Sequence, residues 1–323
     1  MDNLTFIAPL FANIYRYTTS DTCFKSWKII VYSRDEGKQA LSFGNDPEIV
    51  RVIGDVRDFR KLDTTMRLHK PDYVIHAAAL KRVDDMEFHP DECIKTNVLG
   101  SQNVATAALA NDVSKCMLIS TDKACLPVNV YGSSKFIAER MFTNFDYNSD
   151  STIFASVRYG NVIASRGSFI PLWIDKVKNN EEIPITSFEC SRFLFTLDDA
   201  VATVLNALEH AQGGEVFIPK IRSYKLKTVL EAVKSITNKT DASVTVFGMR
   251  PGEKIHEDML AKTELPFTYE ANQELLVVIP QYTSKSHTYD KKYDGLEYNS
   301  SLHLDNEVEN LKLKIEEGLR IEG

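Results

Sequence analysis

The stretch Lys28-Ile29-Ile30-Val31-Tyr32-Ser33-Arg34-Asp35-Glu36 joins four consecutive apolar residues to an abruptly polar end. A strand with one wet face alternates apolar and polar residues. A short run that is apolar throughout reads instead as a strand buried on both faces, the kind found in parallel sheets covered by helices. The pattern recurs. Residues 49–53 run into Gly54-Asp55-Val56, residues 72–76 into Ala77-Ala78-Ala79, and residues 115–120 into Thr121-Asp122-Lys123, and residues 152–158 read as a fifth strand. Between Asp91 and Leu109 the apolar positions Ile94, Val98, Ala105 and Ala108 recur at helical spacing. Strands alternating with helices predict an α/β fold, a Rossmann-like doubly wound parallel sheet, whose ligands bind beyond the carboxyl ends of the strands. Each polar tail quoted above lies at such an end.

Beyond Gly160 the alternation breaks. Residues 161–189 mix glycine, proline, serine and charge and predict a loop-rich region; helices are expected at 196–211 and 227–236, with a strand at Val216-Phe217-Ile218. Residues 281–301, polar and rich in tyrosine, read as irregular. Asp305 is placed to cap a last helix with Val308, Leu311 and Ile315 on one face.

The 323 residues carry 38 Lys+Arg against 45 Asp+Glu, a formal net charge of −7. That balance argues against non-specific nucleic-acid binding, which needs cations to neutralise phosphates. No apolar run reaches bilayer length, and a cytoplasmic location is expected. Five cysteines, Cys23, Cys93, Cys116, Cys125 and Cys190, are dispersed without a C-x-x-C pair, as suits reduced thiols. The seven histidines show no metal-ligand spacing, so no metal site is expected.

The local signal with most chemistry is Tyr131-Gly132-Ser133-Ser134-Lys135. Tyrosine and lysine four apart share a helical face, and a nearby ammonium favours phenolate, giving a base able to take a hydroxyl proton. Ten residues before Tyr131 ends the fourth strand, at Ser120-Thr121-Asp122-Lys123. An acid and an amine side by side there can serve as proton donor and acceptor on one substrate; a weak surface ion pair is the plainer alternative.

At these residues the sequence resembles the nucleotide-sugar dehydratase branch of the extended short-chain dehydrogenase/reductases, and more narrowly the inverting UDP-N-acetylglucosamine 4,6-dehydratases. The resemblance rests on Ile119-Ser-Thr-Asp-Lys-Ala124, Pro127-Val-Asn-Val-Tyr-Gly132 and Lys135. Supporting blocks are Val31-Tyr-Ser-Arg-Asp-Glu36, Gly54-Asp-Val-Arg-Asp58, His76-Ala-Ala-Ala-Leu-Lys81 and Lys95-Thr-Asn97. Further along come Arg158-Tyr-Gly-Asn-Val162, Ser165-Arg-Gly167, Ser191-Arg-Phe193 and Arg250-Pro-Gly-Glu-Lys254. They keep the family order over roughly residues 28–260. Family members that retain configuration at carbon 5 usually carry Met where Tyr131 stands, so Tyr131 points to the inverting branch, as does the lack of a long membrane-spanning N-terminal region.

The resemblance implies that Tyr131, backed by Lys135, deprotonates the sugar 4-hydroxyl while NADP+ takes hydride from carbon 4. Lys123, when neutral, would remove the carbon-5 proton; Asp122, when protonated, would help the 6-hydroxyl leave; Thr121 would bond the 4-oxygen. For the cofactor it implies Ser33, Arg34, Asp35, Glu36, Lys38, Asp55, Val56, Ala77, Ala78, Ala79, Lys81 and Val162, together with Tyr131 and Lys135. Arg34 beside Ser33 suits a 2′-phosphate and hence NADP. For UDP-N-acetylglucosamine it implies Lys81, Asn161, Arg166, Arg192, Arg250 and Glu253, since arginines bind diphosphate oxygens as bidentate forks. Residues 1–165 would form the NADP-binding part and 166–323 mainly the substrate-binding part, with 193–220 returning to the first. A homo-oligomer is expected, as is common in the family.

The chain departs from the family pattern at its start. Where a glycine-rich turn is expected, Phe6-Ile-Ala-Pro-Leu-Phe-Ala12 stands, and no glycine precedes Gly37. Glycine lets backbone N–H groups approach a pyrophosphate, and Pro9 lacks a donor. Residues 1–27 therefore read as atypical, from a truncated or frame-shifted start. Two alternatives accompany the dehydratase reading: a nucleotide-sugar-binding or oligomerising homologue impaired in cofactor binding, and a 4-epimerase. Asp122 and Lys123 count against the epimerase, which needs no elimination acid.

Overall fold

The computed structural model describes residues 3–7, 27–44, 46–165, 167–283 and 285–322, with residues 3–7 and 321–322 described by backbone alone. In chain order the main elements are β1 (Asn3–Ile7), β2 (Lys28–Ser33), α1 (Glu36–Phe43), β3 (Ile49–Ile53), α2 (Phe59–His69) and β4 (Tyr73–His76). There follow α3 (Gly100–Ala110), β5 (Lys115–Ile119), α4 (Val130–Tyr147), β6 (Ile153–Val157), α5 (Phe169–Lys178), α6 (Leu197–His210) and β7 (Val216–Pro219). The chain closes with α7 (Leu226–Thr237), β8 (Thr268–Glu270), β9 (Leu275–Val278) and α8 (Val308–Glu322).

Nine strands form one sheet in the order β3-β2-β1-β4-β5-β6-β7-β9-β8. The pairs from β3 through to β7 are parallel, and β9 and β8 add on antiparallel. The doubly wound architecture expected from the apolar runs is present, and the order reverses between β1 and β4, where such folds bind ligands. Successive residues of the runs feed two cores. Ile29, Val31, Ile75, Met117, Ile119 and Val157 meet α6, while Tyr32, Val74, Cys116, Leu118 and Phe154 meet α2, α3 and α4. This explains why the central runs β2, β4, β5 and β6 do not alternate: both of their faces are covered.

Although residues 1–27 read as atypical, β1 occupies the middle of the sheet, with Thr5 opposite both Ile30 and Val74. The run Leu4-Thr5-Phe6-Ile7 has the β-branched and aromatic composition that strands favour. Residues 8–26, where the glycine-rich turn was sought, lie outside the described residues. Among the described residues, no helix is long and apolar enough to cross a membrane.

The second half holds more regular structure than its composition suggests. Within the stretch read as loop, α5 buries Ile170, Trp173, Ile174 and Val177. Pro171 is compatible with it because the first helical turn makes no intrahelical N–H bond. With α7 and α8 it builds a separate core around Trp173, Val229, Leu311 and Ile315. The large sheet also reclaims β8 and β9, beyond the 193–220 segment expected to return. Asp305 accepts from the Glu307 N–H at 2.9 Å and so caps the turn entering α8.

Arg158, at the end of β6, has no exposed surface. Its guanidinium donates to Glu139 of α4 at 3.1 and 2.7 Å and to Glu264 at 2.8 and 2.9 Å, and Nη1 also donates to the Met259 carbonyl at 2.8 Å. Burial opposes the charge, and the two carboxylates more than offset it. Replacing Arg158 with Met leaves Glu139 buried without its cation and Glu264 with only Arg140 as a cationic partner. The expected loss is about 3–5 kcal/mol of unfolding free energy, measured by urea denaturation.

Candidate active site

Beyond β5 the chain stays bound to the neighbouring strand end: Ser120 N donates to Val157 O and Asp122 N to Tyr159 O. Asp122 then opens a short 3-10 turn, Asp122–Ala124. Helix α4 begins at its N-cap Asn129, whose side chain accepts from Gly132 N at 2.7 Å and donates to Gly252 O at 2.8 Å. That one residue ties the start of α4 to the loop carrying Arg250 and Glu253. Tyr131 lies in the first turn of the helix and Lys135 one turn on. Gly132 lies against the 3-10 turn so closely that a Cβ would overlap the Lys123 carbonyl.

The five residues expected to act on substrate converge. Asp122 is fully buried; its Oδ1 accepts from Thr121 Oγ1 at 2.9 Å and from Lys123 Nζ at 3.0 Å. Thr121 also favours ionisation of the Tyr131 phenol. The two lysines have different partners. Lys135 donates to the Ile119 carbonyl at 2.7 Å, and burial pushes it down to about 8. The Lys123 charge favours ionisation of the Tyr131 phenol. Burial still pushes Tyr131 up to about 12, against the pull of Lys123 and Thr121. Lys123 is not neutral by default: burial lowers it, but Asp122 and Glu257 hold it above the ordinary lysine value.

The residues expected at the cofactor line the carboxyl ends of β2, β3 and β4. Ser33 Oγ accepts from Gln39 at 2.9 Å, which leaves its hydroxyl hydrogen to donate. Arg34 is half-exposed, with Nη1 3.5 Å from Asp55 Oδ2. Asp35 is occupied as N-cap of α1, accepting from Lys38 N at 2.9 Å, and Glu36 is the first residue of that helix. Asp55 is clasped by Arg57 at 3.0 and 2.8 Å, and Val56 turns its side chain into the core. Ala77, Ala78 and Ala79 are half-buried and Lys81 is exposed. Val162 pairs with Phe195 at the far side of the site. A dinucleotide's adenosine end fits this rim, with small residues at β4 and a cation at β2. Residues 8–26, which follow β1 in the sequence, lie outside the described residues and contain no glycine.

Asn97, quoted within a motif but given no role, holds the β4 loop in place. Its Oδ1 accepts from Leu80 N at 2.8 Å, and its Nδ2 donates to Leu80 O at 2.9 Å and to Ser134 Oγ at 3.0 Å. It sits in a widened π turn, Ile94–Leu99, inside what the spacing read as one regular helix. Asparagine is a poor helix-interior residue, and that was the available signal.

Arg192, Arg250 and Glu253 are brought together, but as one ion cluster. Arg192 Nη2 is 2.8 Å from Glu253 Oε1, Arg250 Nε is 3.3 Å from Glu253 Oε2, and Arg250 Nη1 is 2.9 Å from Asp84 Oδ2. Glu253 pairs with both arginines. Arg166 lies outside the described residues. Two buried acceptors, Asp122 Oδ2 and Asn161 Oδ1, have no hydrogen-bond partner among the described residues. Buried polar atoms are nearly always paired, so a pair of orphans at adjacent strand ends marks where a ligand's donors fit.

Fold and site together define a Rossmann-type member of the extended short-chain dehydrogenase/reductase class. The chain belongs to the polysaccharide biosynthesis protein family, which it matches over residues 18–278. It is 44% identical over 252 residues to the UDP-N-acetylglucosamine 4,6-dehydratase (inverting) of Campylobacter jejuni, covering 76% of this chain and 73% of that protein. It is 40% identical over 259 residues to the UDP-glucose 4-epimerase of Rickettsia massiliae, covering 79% and 75%. The X-ray structure of Pen from Bacillus thuringiensis is similar at a TM-score of 0.87 and 32% identity, covering 98% of each chain.

Gly132→Ala forces α4 away from the Lys123 turn. We expect about 1–3 kcal/mol of destabilisation from the overpacking, read by urea denaturation. A stability within 0.5 kcal/mol of the parent (on the order of ordinary surface substitutions) contradicts the contact.

Proposed function

We propose that the protein dehydrates UDP-N-acetylglucosamine across carbons 4 and 6 with inversion at carbon 5, giving a UDP-2-acetamido-2,6-dideoxy-4-hexulose for deoxy-sugar and polysaccharide synthesis. The observation that carries the reading is the buried acid–amine pair Asp122–Lys123 beside Tyr131, with an unpaired oxygen left on the acid. A bound nicotinamide dinucleotide would accept hydride from carbon 4 and return it to carbon 6. Everything else falls to the chain. Tyr131 takes the 4-hydroxyl proton, and Thr121 steadies the oxygen. One proton passing from Lys123 to Asp122 across their 3.0 Å contact leaves a neutral amine to take the carbon-5 proton and a protonated acid to release the 6-hydroxyl as water. The transfer changes no net charge, so it suits a dry pocket where an isolated charge is costly. Arg192 and Arg250, preset by Glu253, suit the diphosphate, and the exposed Arg34 with the Ser33 hydroxyl favours NADP over NAD. A homo-oligomer is part of the proposal, with light scattering as its measurement.

Two observations keep other readings in play. The curated relatives include 4-epimerases, and the sequence lacks a glycine before Gly37. Proton NMR of UDP-N-acetylglucosamine incubated with the protein and NADP+ in deuterated water separates them. Dehydration predicts a 6-deoxy methyl signal, a 4-keto product and deuterium at carbon 5 with couplings of the inverted sugar. A 4-epimeric UDP sugar with intact carbon 6 supports the epimerase, and unchanged substrate from folded protein supports the impaired homologue. With activity present, Tyr131→Phe lowers kcat by about 10²–10⁴-fold, the range for losing a general base.

A further inference from the structure

Glu257 lies three residues past the Arg250-Pro-Gly-Glu-Lys254 block and is 3% exposed. Its Oε1 is 3.5 Å from Lys123 Nζ and 3.8 Å from Arg192 Nε. One oxygen thus stands between the amine at the centre of the site and an arginine of the ion cluster. Its backbone is held separately, with N donating to Ser300 Oγ at 2.8 Å and O accepting from Ser300 N at 2.8 Å. The side chain is therefore not needed to anchor the segment.

We propose that Glu257 is a positioning residue whose buried carboxylate, shared between the Lys123 ammonium and the Arg192 guanidinium, ties the proton-handling lysine to the arginine that receives the substrate's diphosphate. The roles of those two partners rest on the dehydratase reading; the electrostatic link does not. The charged and titratable groups facing Lys123 are Asp122 on its own turn, Glu257 and Arg192 from across the site, and Tyr131 on α4. Asp122 cannot hold the amine at every stage, because its own charge changes when it takes a proton. Glu257 takes no part in that proton transfer and keeps Nζ in place while the pair is neutral. It also strengthens the lysine's hold on a proton, making it a better acceptor for the carbon-5 proton and a rarer free amine. Arg192 tempers this, and a diphosphate that draws Arg192 away strengthens it. Substrate binding and base strength are then coupled through one carboxylate.

The test reads Lys123 directly. The whole protein is treated with trace acetic anhydride at pH 9, and acetylation of Lys123 is compared by peptide mass spectrometry with that of the exposed Lys227. Only the neutral amine reacts. Removing an opposite charge at this distance shifts a pKa by at least about one unit, so Glu257→Gln raises the Lys123 rate about tenfold or more with Lys227 unchanged. Glu257→Ala removes the charge without burying an amide and shows the same rise, which preserves the test if the Gln variant does not fold. Glu257→Asp keeps the charge and stays within about threefold of the parent. An unchanged rate in the Gln and Ala variants overturns the proposal, and so does an equal rise in the Asp variant, which marks looser packing. The NMR assay run on the same samples separates the two ideas. Faster labelling with no product from the parent sinks the dehydratase reading and sustains Glu257; product with unchanged labelling does the reverse.

Discussion

A guanidinium with no access to water must be paired, because arginine cannot shed its proton and an unpaired buried charge is prohibitively costly. Arg158 imposes that condition on the middle of this molecule. Glu139 and Glu264 close on it, and Ser120 donates to Glu139 at 2.6 Å. Glu139 is one turn beyond Lys135 on α4, Ser120 immediately precedes Thr121, and Glu264 follows the segment bearing Glu253 and Glu257. The strand end, the helix and the C-terminal segment that meet at the site are thereby referenced to one charge. The tightness of that reference matters because proton transfers depend on heavy-atom separations of about 3 Å.

The two lysines of the site show how partners decide what burial alone would not. Burial acts downward on both. Lys135 meets a carbonyl and ends near 8, whereas Lys123 meets Asp122 and Glu257 and ends above the ordinary lysine value. The first is a group that loses its charge as pH rises past neutrality, and the second keeps it. Around Lys123 the cations Arg192 and Arg250 alternate with Asp122, Glu253 and Glu257, so each buried charge has an opposite neighbour. Such an alternating set can take a diphosphate only by rearranging its pairs, which is a physical route from substrate binding to the chemistry of the lysine.

Much of the frame was legible from residues 28–158. Apolar runs such as Ile29–Tyr32 mark doubly covered strands because no other strand environment tolerates them, and the polar tails mark the ends where ligands bind. What escaped was structure without a periodic signature. In α5, Pro171 and the surrounding glycine and serine disguised a helix whose buried face is plain once seen. In the helix around Asn97, a π turn breaks the spacing locally and swings the amide onto the β4 loop. Strand β1 was obscured by the missing glycines after it, which bear on cofactor binding and not on whether Leu4-Thr5-Phe6-Ile7 can pair.

The sequence by itself determined the parallel α/β layout, the convergence of Thr121, Asp122, Lys123, Tyr131 and Lys135, and the family order of the motifs, because these depend on local patterns and on short separations along the chain. Only the tertiary structure decided that Lys135 meets the Ile119 carbonyl, that Glu253 braces Arg192 and Arg250, and that Glu257 stands between Lys123 and Arg192. Ion pairs such as Arg192–Glu253 and Lys123–Glu257, whose partners lie far apart along the chain, leave no periodicity in a sequence. They follow from where the sheet, α4 and the C-terminal segment come to rest, and from the demand that every charge buried there find its opposite.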